Sequence, residues 1–210
     1  MITPKTILFL NGDLPSVKSI RKYCKSGDYV ICADGGANGI TKSGIIPNII
    51  IGDLDSITPS NLKLFKKKGV EIRMISEQDT TDFEKSLFYI IEHNLNNVIV
   101  FGAVSGRPDH TLNNFSIMKR YYEILDIKMI DKEFEIFYIK NQINFKSELG
   151  KTVSFMAMPT VKGITTKGLK YALKNESLEF GIREGTLNKT SAKSINISFK
   201  SGHLLLFIGK

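Results

Sequence analysis

Tryptophan is absent from the 210 residues, and cysteine occurs only as Cys24 and Cys32. The two cysteines form no C-x-x-C motif, so both are expected to be reduced and structural. His93, His110 and His203 lie far apart and show no zinc spacing. A metal, if bound, should therefore be a hard ion held by carboxylates. No run approaches the roughly 20 apolar residues of a membrane span. Met1 to Lys5 lacks the charged start, apolar core and small-residue cleavage site of a signal peptide, so the expected location is the cytoplasm, with no membrane partner.

Familiar nucleotide loops are missing too. There is no G-x-x-x-x-G-K-[ST] segment, and Asp34-Gly35-Gly36-Ala37-Asn38-Gly39 does not fit G-x-G-x-x-G. Neither a P-loop enzyme nor an NAD enzyme is supported. No serine or cysteine carries a local nucleophile signature. The net charge of +8 could attract nucleic acid, but the lysines are scattered. Lys66-Lys67-Lys68 reads as a solvated helix end before Gly69, without interleaved aromatics, so no nucleic-acid partner is expected.

What the chain does have is an alternation. Thr6–Leu10, Tyr29–Ala33, Asn48–Ile51, Val70–Ile75, Asn97–Phe101 and Ile127–Ile130 are short apolar runs of the kind that form buried strands. Helical spacing separates them. Thr58-Pro59 reads as a cap and first helical position, Thr81 with Glu84 as a capping box, and Pro108 as another helix start. This predicts an α/β unit over residues 1–132, a doubly wound and mostly parallel sheet with helices on both faces. From residue 133 to 210 the helical period disappears. Phe134–Ile139, Thr152–Met156, Ile195–Phe199 and Leu204–Ile208 predict a small all-β sandwich.

Four acidic corners lie just past predicted strands: Asp34, Asp53 with Asp55, Asp79 with Asp82, and Asp109. A parallel sheet places all its strand C-terminal ends along one edge, where open α/β sheets bind ligands. Alone, each corner has a plain explanation, such as Asp82 favouring a helix dipole or Asp34-Gly35-Gly36 forming an ordinary turn. Together they repel one another unless a cation sits among them, and Mg²⁺ is the natural one. Gly35, Gly36 and Gly52 allow close backbone approach, helix N-termini after Asp79 and Arg107 suit an anion, and the Arg107 fork can hold phosphate oxygens. This set fits phosphoryl-type transfer.

Four motifs then stand in a recognisable order. Ala33-Asp34-Gly35-Gly36-Ala37-Asn38, Ile51-Gly52-Asp53-Leu54-Asp55-Ser56, Gln78-Asp79 through Thr81-Asp82-Phe83-Glu84-Lys85, and Gly106-Arg107-Pro108-Asp109-His110 together resemble the thiamine pyrophosphokinase family. The resemblance implies an N-terminal α/β domain, a C-terminal β-sandwich and a homodimer with active sites between subunits. The implied reaction is ATP plus thiamine giving thiamine diphosphate plus AMP. By the same resemblance Asp53, Asp55 and Asp79 are the magnesium ligands. Thr81, Asp82, Arg107, Asp109 and His110 lie on the ATP side, with Asp34, Gly35 and Gly36 lining the same pocket. Asp79 or Asp109 accepts the proton of the attacking hydroxyl.

Gln78 is placed on the thiamine side. Gly168–Leu173 resembles the family's sandwich strand. Gly185-Thr186-Leu187-Asn188 stands where the family has G-x-S-N, so Leu187 replaces a serine while Asn188 remains. With no tryptophan, stacking on thiamine would fall to Phe, Tyr or an apolar side chain. Two other readings compete. One is a carboxylate-dependent Mg²⁺ phosphatase using Asp53-Leu54-Asp55, although Ile57 stands where that class has Thr or Val. The other is a nucleotide-binding sensor without turnover.

Overall fold

A computed structural model describes residues 4–210. Met1–Thr3, part of the segment on which the expectation of no signal peptide rests, lie outside the described residues. The chain divides into two units, Met1–Lys132 and Glu133–Lys210.

Six short strands build the sheet of the first unit: β1 (Thr6–Phe9), β2 (Tyr29–Ala33), β3 (Ile49–Gly52), β4 (Glu71–Met74), β5 (Val98–Phe101) and β6 (Ile127–Ile130). Their order is β4-β3-β2-β1-β5-β6, with every pair parallel. β1, β3 and β5 are buried along their whole length, as continuous apolar runs require when helices cover both faces. The fourth run departs from expectation. It forms the sheet edge, and Met74 is 67% exposed.

Five helices join the strands: α1 (Val17–Tyr23), α2 (Gly36–Ile40), α3 (Pro59–Lys67), α4 (Asp82–Glu92) and α5 (Pro108–Tyr121). Ser16, Thr58 and Thr81 cap α1, α3 and α4 with their hydroxyl oxygens. Ile7, Phe9, Val30, Cys32, Ile50 and Phe101 pack with Ile20 of α1, Ala37 and Ile40 of α2, and Phe65 of α3. Phe9 and Phe101 stack at 5.2 Å between centroids, worth about 0.5–1.5 kcal/mol beyond their area. The pleat turns Leu8, Ile31, Ile49 and Ile51 to the other face. There α4 packs on β2 and β3 through its buried side, which carries Phe83, Leu87 and Ile90.

The expected capping box at α4 is only half formed. Thr81 Oγ1 accepts from the Glu84 amide at 3.3 Å. The Glu84 carboxylate does not return to the cap. It is buried and accepts from Arg120 at 2.9 Å and from the Tyr121 hydroxyl at 2.7 Å. A buried carboxylate gains more from a cation and a phenol than from one exposed amide, so Glu84 ties α4 to α5 instead.

After β4 the chain crosses back to lay β5 beside β1. The strand order reverses there, and the C-terminal ends of β1 and β5 bracket the crevice where doubly wound sheets bind ligands.

The second unit is antiparallel. Its strands are β7 (Phe134–Ile139), β8 (Gln142–Lys146), β9 (Thr152–Lys167), β10 (Glu176–Glu179), β11 (Gly185–Lys189), β12 (Ser194–Ser198) and β13 (Ser201–Gly209). The order is β7-β13-β9-β12-β8, and β10 and β11 also pair with β9. The 16-residue β9 takes part in both sheets, whose inner faces meet over Val153, Phe155, Val161, Ile164, Ile195, Ile197, Leu204 and Leu206. No helix among the described residues is long and apolar enough to cross a membrane.

Candidate active site

The crevice holds a cavity of about 750 Å³, lined by the loops that leave β1 to β5. That volume suits a nucleotide-sized ligand. The β1 loop contributes Asn11 and Gly12, the β3 loop Asp53 and Ser56, and the β4 loop Gln78 to Asp82. The β5 loop and the start of α5 add Ser105, Arg107, Asp109, His110, Asn113 and Asn114.

Close backbone approach makes these loops possible. A Cβ on Gly12 would meet the Gly102 carbonyl oxygen at 2.3 Å, and one on Gly36 would meet the Phe9 carbonyl oxygen at 2.2 Å. The glycines therefore let α2 and the β5 loop press against the end of β1.

Asp34 turns the chain out of β2 at φ 39°, a left-handed conformation that aspartate tolerates better than most residues. It is fully buried, yet both carboxylate oxygens are satisfied. The Ser56 amide donates to Oδ2 at 2.8 Å and the Ile57 amide to Oδ1 at 3.1 Å. Burial pushes the Asp34 pKa up, and these amides pull against it. Asp34 thus clamps the loop that carries Asp53 and Asp55.

Asp53 and Asp82 project over that clamp. One carboxylate oxygen from each of Asp34, Asp53 and Asp82 lies within 4.8 Å of the other two. Gln78 Nε2 donates to Asp53 at 2.9 Å and is the main cause of its lowered pKa. The Asp82 carboxyl is shifted the other way, chiefly by burial, with Lys85 opposing and Asp34 and Asp53 adding to the rise. Lys85 Nζ lies 3.6 Å from Asp82 Oδ1 and donates to the Ile75 carbonyl at 3.2 Å.

The residues expected from sequence fall into several groups. Asp34, Asp53 and Asp82 form the tight cluster. Gln78, Asp79, Thr81, Arg107, Asp109 and His110 line the same cavity. Asp55 borders the cluster: its amide donates to Asp53 at 3.3 Å, and its carboxylate accepts from the Ser56 hydroxyl at 2.9 Å. Gly35 and Gly36 supply backbone. Arg107 holds Asp109 with both arms of its fork, at 3.0 and 2.7 Å, which keeps the Asp109 carboxyl well below the usual carboxylate range.

Leu187 and Asn188 belong to the second unit. Asn188 is buried and bridges backbone, accepting from the Tyr171 and Lys189 amides and donating to the Tyr171 carbonyl at 2.7 Å. Its carboxamide holds β11 against the 168–173 segment. Leu187 sits at φ 58° and is 77% exposed, with its amide donating to Ser154 Oγ at 3.0 Å.

Sequence reasoning passed over Lys85, Asn11, Asn113 and Asn114. Lys85 ends the Gln78–Lys85 motif, but its burial has no local signal. Asn11 lies two residues past β1, and a Cβ on Gly35 would meet its side chain at 2.5 Å. Its place at a strand end was a usable clue.

Residues 20–130 match the model of the thiamin pyrophosphokinase catalytic domain, and residues 140–204 match that of the thiamin pyrophosphokinase vitamin B1 binding domain. The chain belongs to the thiamin pyrophosphokinase family. Thiamine pyrophosphokinase from Bacillus subtilis is 27% identical over 208 residues, covering 96% of this chain and 97% of that one. Thiamine pyrophosphokinase 2 from Arabidopsis thaliana is 29% identical, over 95% of this chain and 84% of the relative. The crystal structure of the Bacillus subtilis thiamine pyrophosphokinase superposes with a TM-score of 0.87 at 25% identity, covering 98% of this chain and 99% of that one. Within the thiamin pyrophosphokinase family, then, the catalytic-domain match covers nearly all of the cavity and every carboxylate of the cluster.

Proposed function

We propose the following division of labour for the family's activity, in which the diphosphate of ATP passes to thiamine and gives thiamine diphosphate and AMP. The observation that carries it is the convergence of Asp34, Asp53 and Asp82, the last two of which line a cavity that also exposes Arg107 and the start of α5.

The cluster fits a hard divalent cation, because its donors are carboxylate oxygens from three separate loops. Asp53 and Asp82 would hold Mg²⁺, with Asp55 and Asp79 beside them and Asp34 adding charge while its oxygens grip the 56–57 amides. When bound, the ion offsets negative charge on the transferred diphosphate. Thr81, Arg107 and His110 bind the ATP side, next to Gly35 and Gly36. Arg107 reaches phosphate by exchanging the Asp109 carboxylate for it, since its fork can serve one partner at a time. Asp109 is a weak proton acceptor while it is paired, which leaves Asp79 to receive the proton of thiamine's hydroxyl.

Gln78 of the first unit is assigned to thiamine, and so, separately, are Leu187 and Asn188 of the second, where Asn188 shapes the backbone that presents Leu187. The working assembly is a cytoplasmic homodimer, which sedimentation of the purified protein tests.

Phosphorus NMR of the protein with ATP and Mg²⁺, with and without thiamine, tests the reaction. AMP and thiamine diphosphate should appear in equal amounts, only when thiamine is present. ADP would mean single-phosphoryl transfer, and AMP without thiamine would mean hydrolysis; either would overturn the reading.

A further inference from the structure

Lys85 is an expensive residue for its position. Its side chain is 3% exposed, while the carboxylate beside it, Asp82, is 32% exposed. Burying an ammonium costs several kcal/mol unless partners repay it. Here the repayment is incomplete: one hydrogen bond to the Ile75 carbonyl at 3.2 Å, and an ion pair at 3.6 Å, longer than a hydrogen-bonded pair. A methionine would fill the same space with no charge to bury. Stability alone does not account for a lysine here.

Its two partners do. Ile75 is the first residue past β4, and its amide donates to the Gly52 carbonyl at 2.8 Å. Asp82 is the first residue of α4. Between them runs the strap 76–81, which carries Gln78, Asp79 and Thr81 along the cavity. Thr81 ends the strap as the α4 cap, and the rest of it is held by polar contacts at the surface, Thr80 to Glu77 and Gln78 to Asp53. The buried ammonium therefore ties the start of α4 to the residue before the strap and limits the distance between the strap's two ends.

Resting on the function proposed above, we infer that Lys85 is a positioning residue for diphosphate transfer. It sets where the strap presents Gln78, Asp79 and Thr81 relative to Asp53 and Asp82. Its contribution is to alignment of the reacting groups, rather than to binding of ATP or to global stability.

Lys85→Met and Lys85→Arg test this on the full chain. A misplacement of about 1 Å among reacting groups lowers rate by about 10²-fold. Lys85→Met should lose kcat by about that factor, with KM for ATP within about threefold of the parent and no fall in melting temperature. Lys85→Arg, which keeps the charge, should recover part of the loss. Hydrogen exchange should quicken over residues 76–81 in Lys85→Met and stay unchanged over the second unit. That readout does not depend on turnover.

A Lys85→Met protein with parental kcat and parental exchange would overturn the inference. So would activity lost only in proportion to lost folded protein. An inactive parent chain would instead strike the proposed function, and the exchange experiment would still decide whether Lys85 holds the strap.

Discussion

Gly52 and Asp34 stand so close that a Cβ on Gly52 would lie 2.8 Å from the Asp34 Cβ, and 3.0 Å from Asp82 Oδ1. The bare α-carbon at the end of β3 is what lets two of the clustered carboxylates approach. Gly52 also has a φ of 151°, where L side chains are strained. Gly52→Ala should therefore cost about 1–3 kcal/mol by urea unfolding and lose most turnover, because the methyl group drives Asp34 and Asp82 apart. Parental activity in that variant would mean that the cluster's spacing is not needed.

Asp53 belongs to the cluster and accepts from Gln78. Asp53→Asn keeps the shape and removes the charge, so it should reduce turnover by more than 10²-fold on the order expected for loss of a charge-stabilising group. Its unfolding midpoint should stay close to that of the parent. Titration of activity with Mg²⁺ is the check: the variant should need more metal to reach its residual rate. Removing divalent ions with a chelator should stop the parent, and added Mg²⁺ should restore it.

Asp34 and Asp82 should answer oppositely to the same change. Asp34 uses both oxygens on amides, so Asp34→Asn turns an amide donor toward another donor and should cost about 1–3 kcal/mol. For Asp82 the sign comes from its raised pKa. The folded chain binds that proton more readily than the unfolded chain, so the ionised carboxylate opposes folding above the raised value. Asp82→Asn should therefore stabilise the metal-free protein at neutral pH while abolishing activity. The gain should fade as pH falls through the raised value toward the ordinary aspartate range, where the carboxyl is protonated in both states. Unfolding curves in urea at several pH values test both halves.

Leu187 holds a left-handed backbone conformation that costs a leucine about 1–2 kcal/mol. Leu187→Gly should release part of that and raise the melting temperature of the second unit. Because the exposed leucine side chain is lost with it, KM for thiamine should rise while KM for ATP holds. A thiamine KM equal to the parent's would remove Leu187 from the acceptor site.

The sheet was legible where strands are buried on both faces. Ile7 to Phe9 and Ile49 to Ile51 have no polar face, so they read directly as central strands. β8, β10 and β11 were missed because they are short and half exposed, and their polar residues dilute the alternation. The acidic corners were legible because a parallel sheet fixes where strand ends go. What each side chain grips there was not. Arg107 closing on Asp109, Glu84 leaving its cap for Tyr121, and Asn188 turning inward are choices among partners that meet only in three dimensions. Lys85 shows the same limit, since nothing in a run of four neighbours says that a lysine is buried.

The place of β13 in the second unit has a consequence for synthesis. Among the described strands it comes last in sequence, yet it lies between β7 and β9 and forms ladders with both. Until residues 201–209 leave the ribosome, neither β7 nor β9 can form the ladder it makes with β13 in the folded unit. Nascent chains of this unit therefore pass through an interval in which another polypeptide edge could pair in place of β13. A chaperone that covers strand edges should raise the folded yield of the second unit more than that of the first, where the last strand β6 adds to β5 alone within the unit.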